Sequence, residues 1–218
     1  AECLLPTKAR GGATVGRMDA HQLPLAGVEP DAPRPNHHLF FAVLPEPRAA
    51  QAAADLAQTL IARHDLQAQV RAQRLHATLL SLGWEHALSR RHLQWARDAA
   101  QQVRARAFSL RFDRVLSFRR APQAKRPCVL CGPADGQQGF IALYEALHTA
   151  LWSQVRGLDG VPHAPHITPH ITLCYSRQAV PEQPVPPLEW TVRRFVLLHN
   201  LRGPPGPYEV LGEWPLAD

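Results

Sequence analysis

Leu75-His76-Ala77-Thr78-Leu79-Leu80 and Pro169-His170-Ile171-Thr172-Leu173-Cys174 carry one signature, His-x-Thr in an apolar frame, with the two histidines 94 residues apart. On a β-strand, residues i and i+2 share a face. His76 and Thr78 therefore project together while Ala77 and Leu79 turn into packing; His170 and Thr172 repeat this, with Ile171 and Leu173 opposite. The surroundings repeat as well. An apolar run over 39–44, closed by Pro45, reads as a strand. Helical spacing of Ala53, Leu56, Ala57, Leu60 and Ile61 then predicts a helix over 47–64, followed by the His76 strand over 74–82. In the second copy Cys128-Val129-Leu130 reads as a short strand, and Phe140, Leu143, Tyr144, Leu147 and Leu151 predict a helix over 138–155. A loop rich in Pro, Gly and His then enters the strand 171–175. Tandem units of strand, helix and His-x-Thr strand imply two pseudo-symmetric lobes facing each other. Two imidazoles and two hydroxyls then converge on one cleft.

Between and after these units the pattern predicts a helix over 89–106, an alternating strand over 108–116, and strands over 190–199 and 208–214 on either side of Gly203-Pro204-Pro205-Gly206-Pro207. Residues 1–37, rich in Gly, Pro and charge, show neither period and read as a disordered leader. Met18 is the sole methionine, which makes it the expected natural start and residues 1–17 an over-extended reading frame. The expected organisation is this leader followed by a single bilobal domain over 38–218.

Composition narrows the function classes. A hydrophobic share of 45% in 218 residues is enough for a sizeable core, and four cysteines are too few for a disulfide framework. No apolar run approaches the roughly 18–20 residues of a membrane span, so the expectation is a soluble, cytoplasmic monomer without a membrane partner. The net charge is +6, and of the 24 basic residues only Lys8 and Lys125 are lysines. Guanidinium forks suit phosphate oxygens, which leans toward RNA or nucleotides, although an arginine-rich coding bias gives the same balance.

A pair of histidines and a pair of threonines suits phosphodiester cleavage without metal. One neutral imidazole takes a proton from water, the other gives one to the departing oxygen, and a reference pKa of about 6.5 lets both forms coexist near neutrality. Thr78 and Thr172 would donate to the non-bridging oxygens, where charge accumulates. Phosphate-loop, dinucleotide-fold and serine-elbow signatures are missing, so no cofactor is expected. Trp84, just past the first motif, is placed to stack a base or to plug the end of its lobe. The segment 119–126, with Arg119, Arg120, Pro122, Lys125 and Arg126, would track an RNA backbone or form a solvated loop. Two other readings fit parts of the chain. One is a non-catalytic RNA-binding module that uses only the basic surface. The other is a zinc-binding protein built on His163, His166 and His170 with Cys128, Cys131 and Cys174. Against zinc, Cys128 and Cys131 lie three apart on a strand and face opposite ways.

The paired motifs resemble those of the 2H phosphoesterase superfamily, in its bacterial 2'-5' RNA ligase-like branch of RNA 2',3'-cyclic phosphodiesterases. Leu39-Phe40-Phe41-Ala42, Leu82-Gly83 and the closing Tyr208 and Trp214-Pro215-Leu216 agree, so the resemblance covers about residues 38–216. It implies an α+β fold of two pseudo-symmetric lobes, with mostly antiparallel sheets lining a central cleft and helices outside. It also implies hydrolysis of RNA or nucleotide 2',3'-cyclic phosphates to 2'-phosphomonoesters, with reversible 2'-5' RNA ligation in some members. By the resemblance, His76 would protonate the O3' leaving group and His170 would activate water; the near-symmetry makes the exchanged roles chemically equivalent. Many members carry an arginine five residues after the second histidine to clamp the phosphate. Here Tyr175 holds that position, with Arg177 two further on. Tyr175 is odd relative to His170 and points away from the cleft unless the strand ends or bulges.

Overall fold

β1 (His37–Val43) alternates between two interiors. Leu39, Phe41 and Val43 enter the main core, whereas Phe40 and Ala42 join a smaller cluster with Val196 and Leu198 on the other side of the sheet. The computed structural model describes residues 35–119, 124–156, 161–203 and 206–218. The expected leader and the Met18 start therefore lie outside the described residues, save for Pro35, Asn36 and His37. His37 already belongs to β1, and Asn36 is tied on both sides: its N–H donates to the Glu85 carbonyl, and its carbonyl accepts from the Arg202 N–H.

α1 (Pro47–His64) follows, with Pro47 at the first helical position, where its missing N–H costs nothing, and Asp65 left-handed at the end. A 3₁₀ turn (Ala72–Arg74) leads to β2 (Ala77–Glu85). α2 (Arg90–Gln102) starts at Ser89, whose Oγ accepts from the His92 N–H. It ends four residues before the predicted 106, because the next segment pairs instead with the C-terminus: the Ala107 N–H donates to the Ala217 carbonyl and the Ala217 N–H to that of Ala105. β3 (Phe108–Ser117), β4 (Arg126–Cys131), α3 (Gln138–Arg156) and β5 (His170–Ser176) come next, close to the sequence expectation.

The tail departs from it. The expected strand 190–199 is the junction of two strands, β6 (Gln183–Val192) and β7 (Arg194–Leu201), before β8 (Glu209–Pro215). Pro184, Pro186 and Pro187 hid β6. Proline cannot donate to a ladder, so it is tolerated where a strand has one neighbour only. β6 is such an edge strand, paired with β3 alone.

The eight strands form one antiparallel sheet in the order β6-β3-β4-β5-β2-β1-β7-β8. Its halves, β6-β3-β4-β5 and β2-β1-β7-β8, are the two lobes. Their inner strands, β2 and β5, meet at one registered pair, Ala77 with Ile171, and Gln69, ahead of β2, bridges to Cys174 of β5. The helices cover one face with a core that includes Phe41, Phe112, Phe140, Leu60 and Leu147, each worth roughly 1.5–3 kcal/mol of burial. Each duplicated unit sends its helix across the junction: α1 packs on β5 and β6, and α3 packs on β2 as well as β3. The opposite face is left for the cleft. No helix of the described residues is long and apolar enough to cross a membrane.

Candidate active site

At the junction of the halves, Ala77 and Ile171 are turned into the core, 0% exposed. Antiparallel pairing alternates faces, so the residues beside them, His76 and Thr78 on one strand and His170 and Thr172 on the other, look into the opposite space. Counted outward from that one pair, antiparallel geometry sets His76 on the side of Thr172 and Thr78 on the side of His170. His76 sits one residue before the β2 ladder begins, at its mouth, yet keeps the predicted alternation. The four side chains line one cleft of about 940 Å³.

Both rings are held alike. His76 Nδ1 lies 2.7 Å from the Arg74 carbonyl, and His170 Nδ1 lies 2.7 Å from the Thr168 carbonyl. A carbonyl oxygen only accepts, so each Nδ1 carries the hydrogen and each neutral ring leaves Nε2 as its free, basic nitrogen. An aromatic ring fixes each imidazole from the side, Phe40 at 5.0 Å from His76 and Phe118 at 4.9 Å from His170. Tyr208 adds an edge contact to His76 at 5.2 Å.

Burial, the largest influence, and the neighbouring His170, Arg74 and His38 bring His76 down to about 4, against the pull of the Arg74 carbonyl. Burial also lowers His170, and burial with the Arg202 charge brings His38 to about 4. The unfolded chain takes up the protons of His76 and His38 near 6.5 and the folded chain near 4, so the unfolded state binds more protons between those values. Stability therefore rises with pH through that window and is lost on acidification. Thermal midpoints measured at pH 7.5, 6 and 5 should fall in that order, and His76→Asn should flatten the fall; equal midpoints would contradict the burial of these rings.

The charged part of the remaining lining is cationic. Arg71, Arg74, Arg119 and Arg202 line the cleft, and no Asp or Glu is among the described lining residues. The Arg74 guanidinium lies 4.3 Å over the Tyr208 ring and donates to Asn200 Oδ1 at 2.8 Å. Sequence reasoning missed Arg74, His38, Asn200 and Arg202 as cleft residues. Arg74 had a signal, since it lies two residues before His76; Asn200 and Arg202 had none, because β7 reaches the site only through its place beside β1.

Tyr175 is in the lining, 40% exposed, and Arg177 is exposed outside it. The reason is a β-bulge. Cys128 pairs with Cys174 but the next residue, Val129, pairs with Thr172, which leaves Leu173 extra and turns Tyr175 to the cleft side. Trp84 also lines the cleft, stacked on His38 at 4.6 Å with the Arg202 guanidinium 4.3 Å over its ring. Of the basic segment 119–126, Arg119 reaches the cleft; Arg120 and Pro122 lie outside the described residues. His163 and His166 are exposed and apart from the lining, Cys128 and Cys174 are buried against each other, and no group of three or more His, Cys, Asp or Glu among the described residues is arranged to hold a metal ion.

A family model described as the 2'-5' RNA ligase superfamily matches residues 45–204. No curated protein sequence matches the chain. Among solved structures, E. coli LigT complexed with 3'-AMP is similar at 23% identity and a TM-score of 0.66, covering 85% of this chain and 100% of its own. The protein TT0787 of Thermus thermophilus is similar at 26% identity and a TM-score of 0.61, covering 82% of this chain and 97% of its own.

Proposed function

Because the chain belongs to the 2'-5' RNA ligase superfamily, the 2H phosphoesterases, we propose that it hydrolyses 2',3'-cyclic phosphate ends of RNA or nucleotides to 2'-phosphomonoesters. The observation that carries this reading is the matched pair of imidazoles, each with Nδ1 committed to a carbonyl and Nε2 free toward one cleft without carboxylates among its described lining residues.

The cleft suits an anion before it suits chemistry. Arg74 supplies a guanidinium whose planar fork matches phosphate oxygens, a task that the resemblance gave to the position now held by Tyr175. Both rings are biased toward the neutral form in the free protein. A bound phosphodiester anion favours a proton on one of them. The neutral Nε2 then takes a proton from water as its oxygen attacks phosphorus; the P–O3' bond breaks, and O3' receives the proton of the imidazolium Nε2. Water is added across one P–O bond, and the protein ends with its proton on the other ring. Thr78 and Thr172, each opposite the other unit's histidine, donate to the non-bridging oxygens as charge builds there. By family resemblance His170 is the base and His76 the acid. LigT's complex with 3'-AMP fits a nucleotide-sized occupant for such a cleft.

The test is incubation with a nucleoside 2',3'-cyclic phosphate in EDTA, with the product resolved by ³¹P NMR. The expected product is the 2'-monophosphate, formed at the rate seen without chelator. Intact substrate would leave an RNA-binding role instead, and activity lost to EDTA would point to a metallohydrolase.

A further inference from the structure

Six large hydrophobic side chains are exposed among the described residues, and three of them, Trp84, Tyr175 and Leu201, lie around the cleft. Trp84 is the start of a ladder of rings that runs inward to the acid–base pair: Trp84 to His38 at 4.6 Å, His38 to Phe40 at 4.9 Å, Phe40 to His76 at 5.0 Å. The ladder thus connects the rim of the cleft to its histidines. At its outer end the Arg202 guanidinium rests 4.3 Å over the Trp84 ring. None of the ion pairs among the described residues involves Arg202. Its backbone is pinned by the N–H bond to the Asn36 carbonyl. Arg202 is thus, among the described residues, a cation without a carboxylate partner, held on an aromatic face at a fixed remove from the histidines.

The geometry points to Arg202 as the seat of a second phosphate, the one that joins the cyclised nucleotide to its 5' neighbour, with Trp84 as the residue that positions it. The protein then favours an oligoribonucleotide end over a free nucleoside cyclic phosphate. The inference rests on the cyclic phosphodiesterase reading for the first phosphate and adds the substrate's length and polarity. Cation–π contact leaves the guanidinium edge free, so the donors that grip phosphate are not consumed by Trp84.

Two measurements test it on the full chain and on Arg202→Ala and Arg202→Lys. The first is KM and kcat for a tetraribonucleotide ending in a 2',3'-cyclic phosphate and for the mononucleoside analogue. Arg202→Ala should raise KM for the tetranucleotide about tenfold more than for the mononucleoside, the scale of one charge-assisted contact, with kcat little changed and Arg202→Lys partly restoring the difference. The second is the salt dependence of binding of the tetranucleotide 2'-phosphate product, whose log–log slope should shrink by about 0.7 in Arg202→Ala. Losses of equal size on both substrates, or an unchanged slope, would overturn the second-phosphate site and leave the reaction standing. Arg202-dependent binding without turnover would keep the site and remove the reaction. Binding of neither RNA would remove both.

Discussion

His76→Ala and His170→Ala should each lower kcat on a 2',3'-cyclic phosphate by roughly 10²–10⁴-fold, the range for a positioned general acid or base. The two losses are expected to be of similar size because the rings are equivalently mounted, with Nδ1 on a carbonyl at 2.7 Å in both cases. Proton donation and acceptance belong to one step, so the double variant should be little worse than the poorer single variant. The rate profile of the wild type should be bell-shaped, and each substitution should erase one limb. Wild-type turnover in either alanine variant, measured by steady-state formation of the 2'-monophosphate, would remove that residue from the reaction.

Arg74→Ala carries the second large effect. Under the proposed reaction, the Arg74 guanidinium, in a cleft whose described lining holds no carboxylate, acts as an oxyanion donor does, and loss of such a donor costs about 10²–10³-fold in kcat. Arg74→Lys should recover part of this, because a point charge keeps the attraction and loses the fork. Asn200→Ala should give a smaller loss, since Asn200 only orients the guanidinium through its 2.8 Å bond. A loss confined to KM, with kcat intact, would assign Arg74 to ground-state binding alone.

Period and repetition made much of this legible. The helices over 47–64 and 138–155 follow apolar spacing that tertiary context does not contradict, and the strand parity of His76 with Thr78 and of His170 with Thr172 survives in the cleft. What parity could not reveal is a change of parity. The bulge at Leu173 depends on pairing with β4, so the direction of Tyr175 was not written in its own strand. β6 was obscured for a related reason, because its prolines make sense only at a sheet edge. Arg202 and Asn200 belong to the site through β7's place beside β1, an adjacency between segments far apart in the chain. The zinc reading drew on His163, His166 and Cys128, which are close to His170 or Cys174 in sequence or across a strand but never gather on one point.

A pair of jaws joined along so short a seam would ordinarily gape. Here the registered pair of Ala77 with Ile171 and the bridge of Gln69 to Cys174 are straddled by two struts, since α1 leans onto β5 and β6 while α3 leans onto β2. The span between His76 and His170 is thereby set by crossed beams as well as by the seam. It follows that neither half is a module that evolution or an engineer can exchange alone: a transplanted jaw would leave its strut behind.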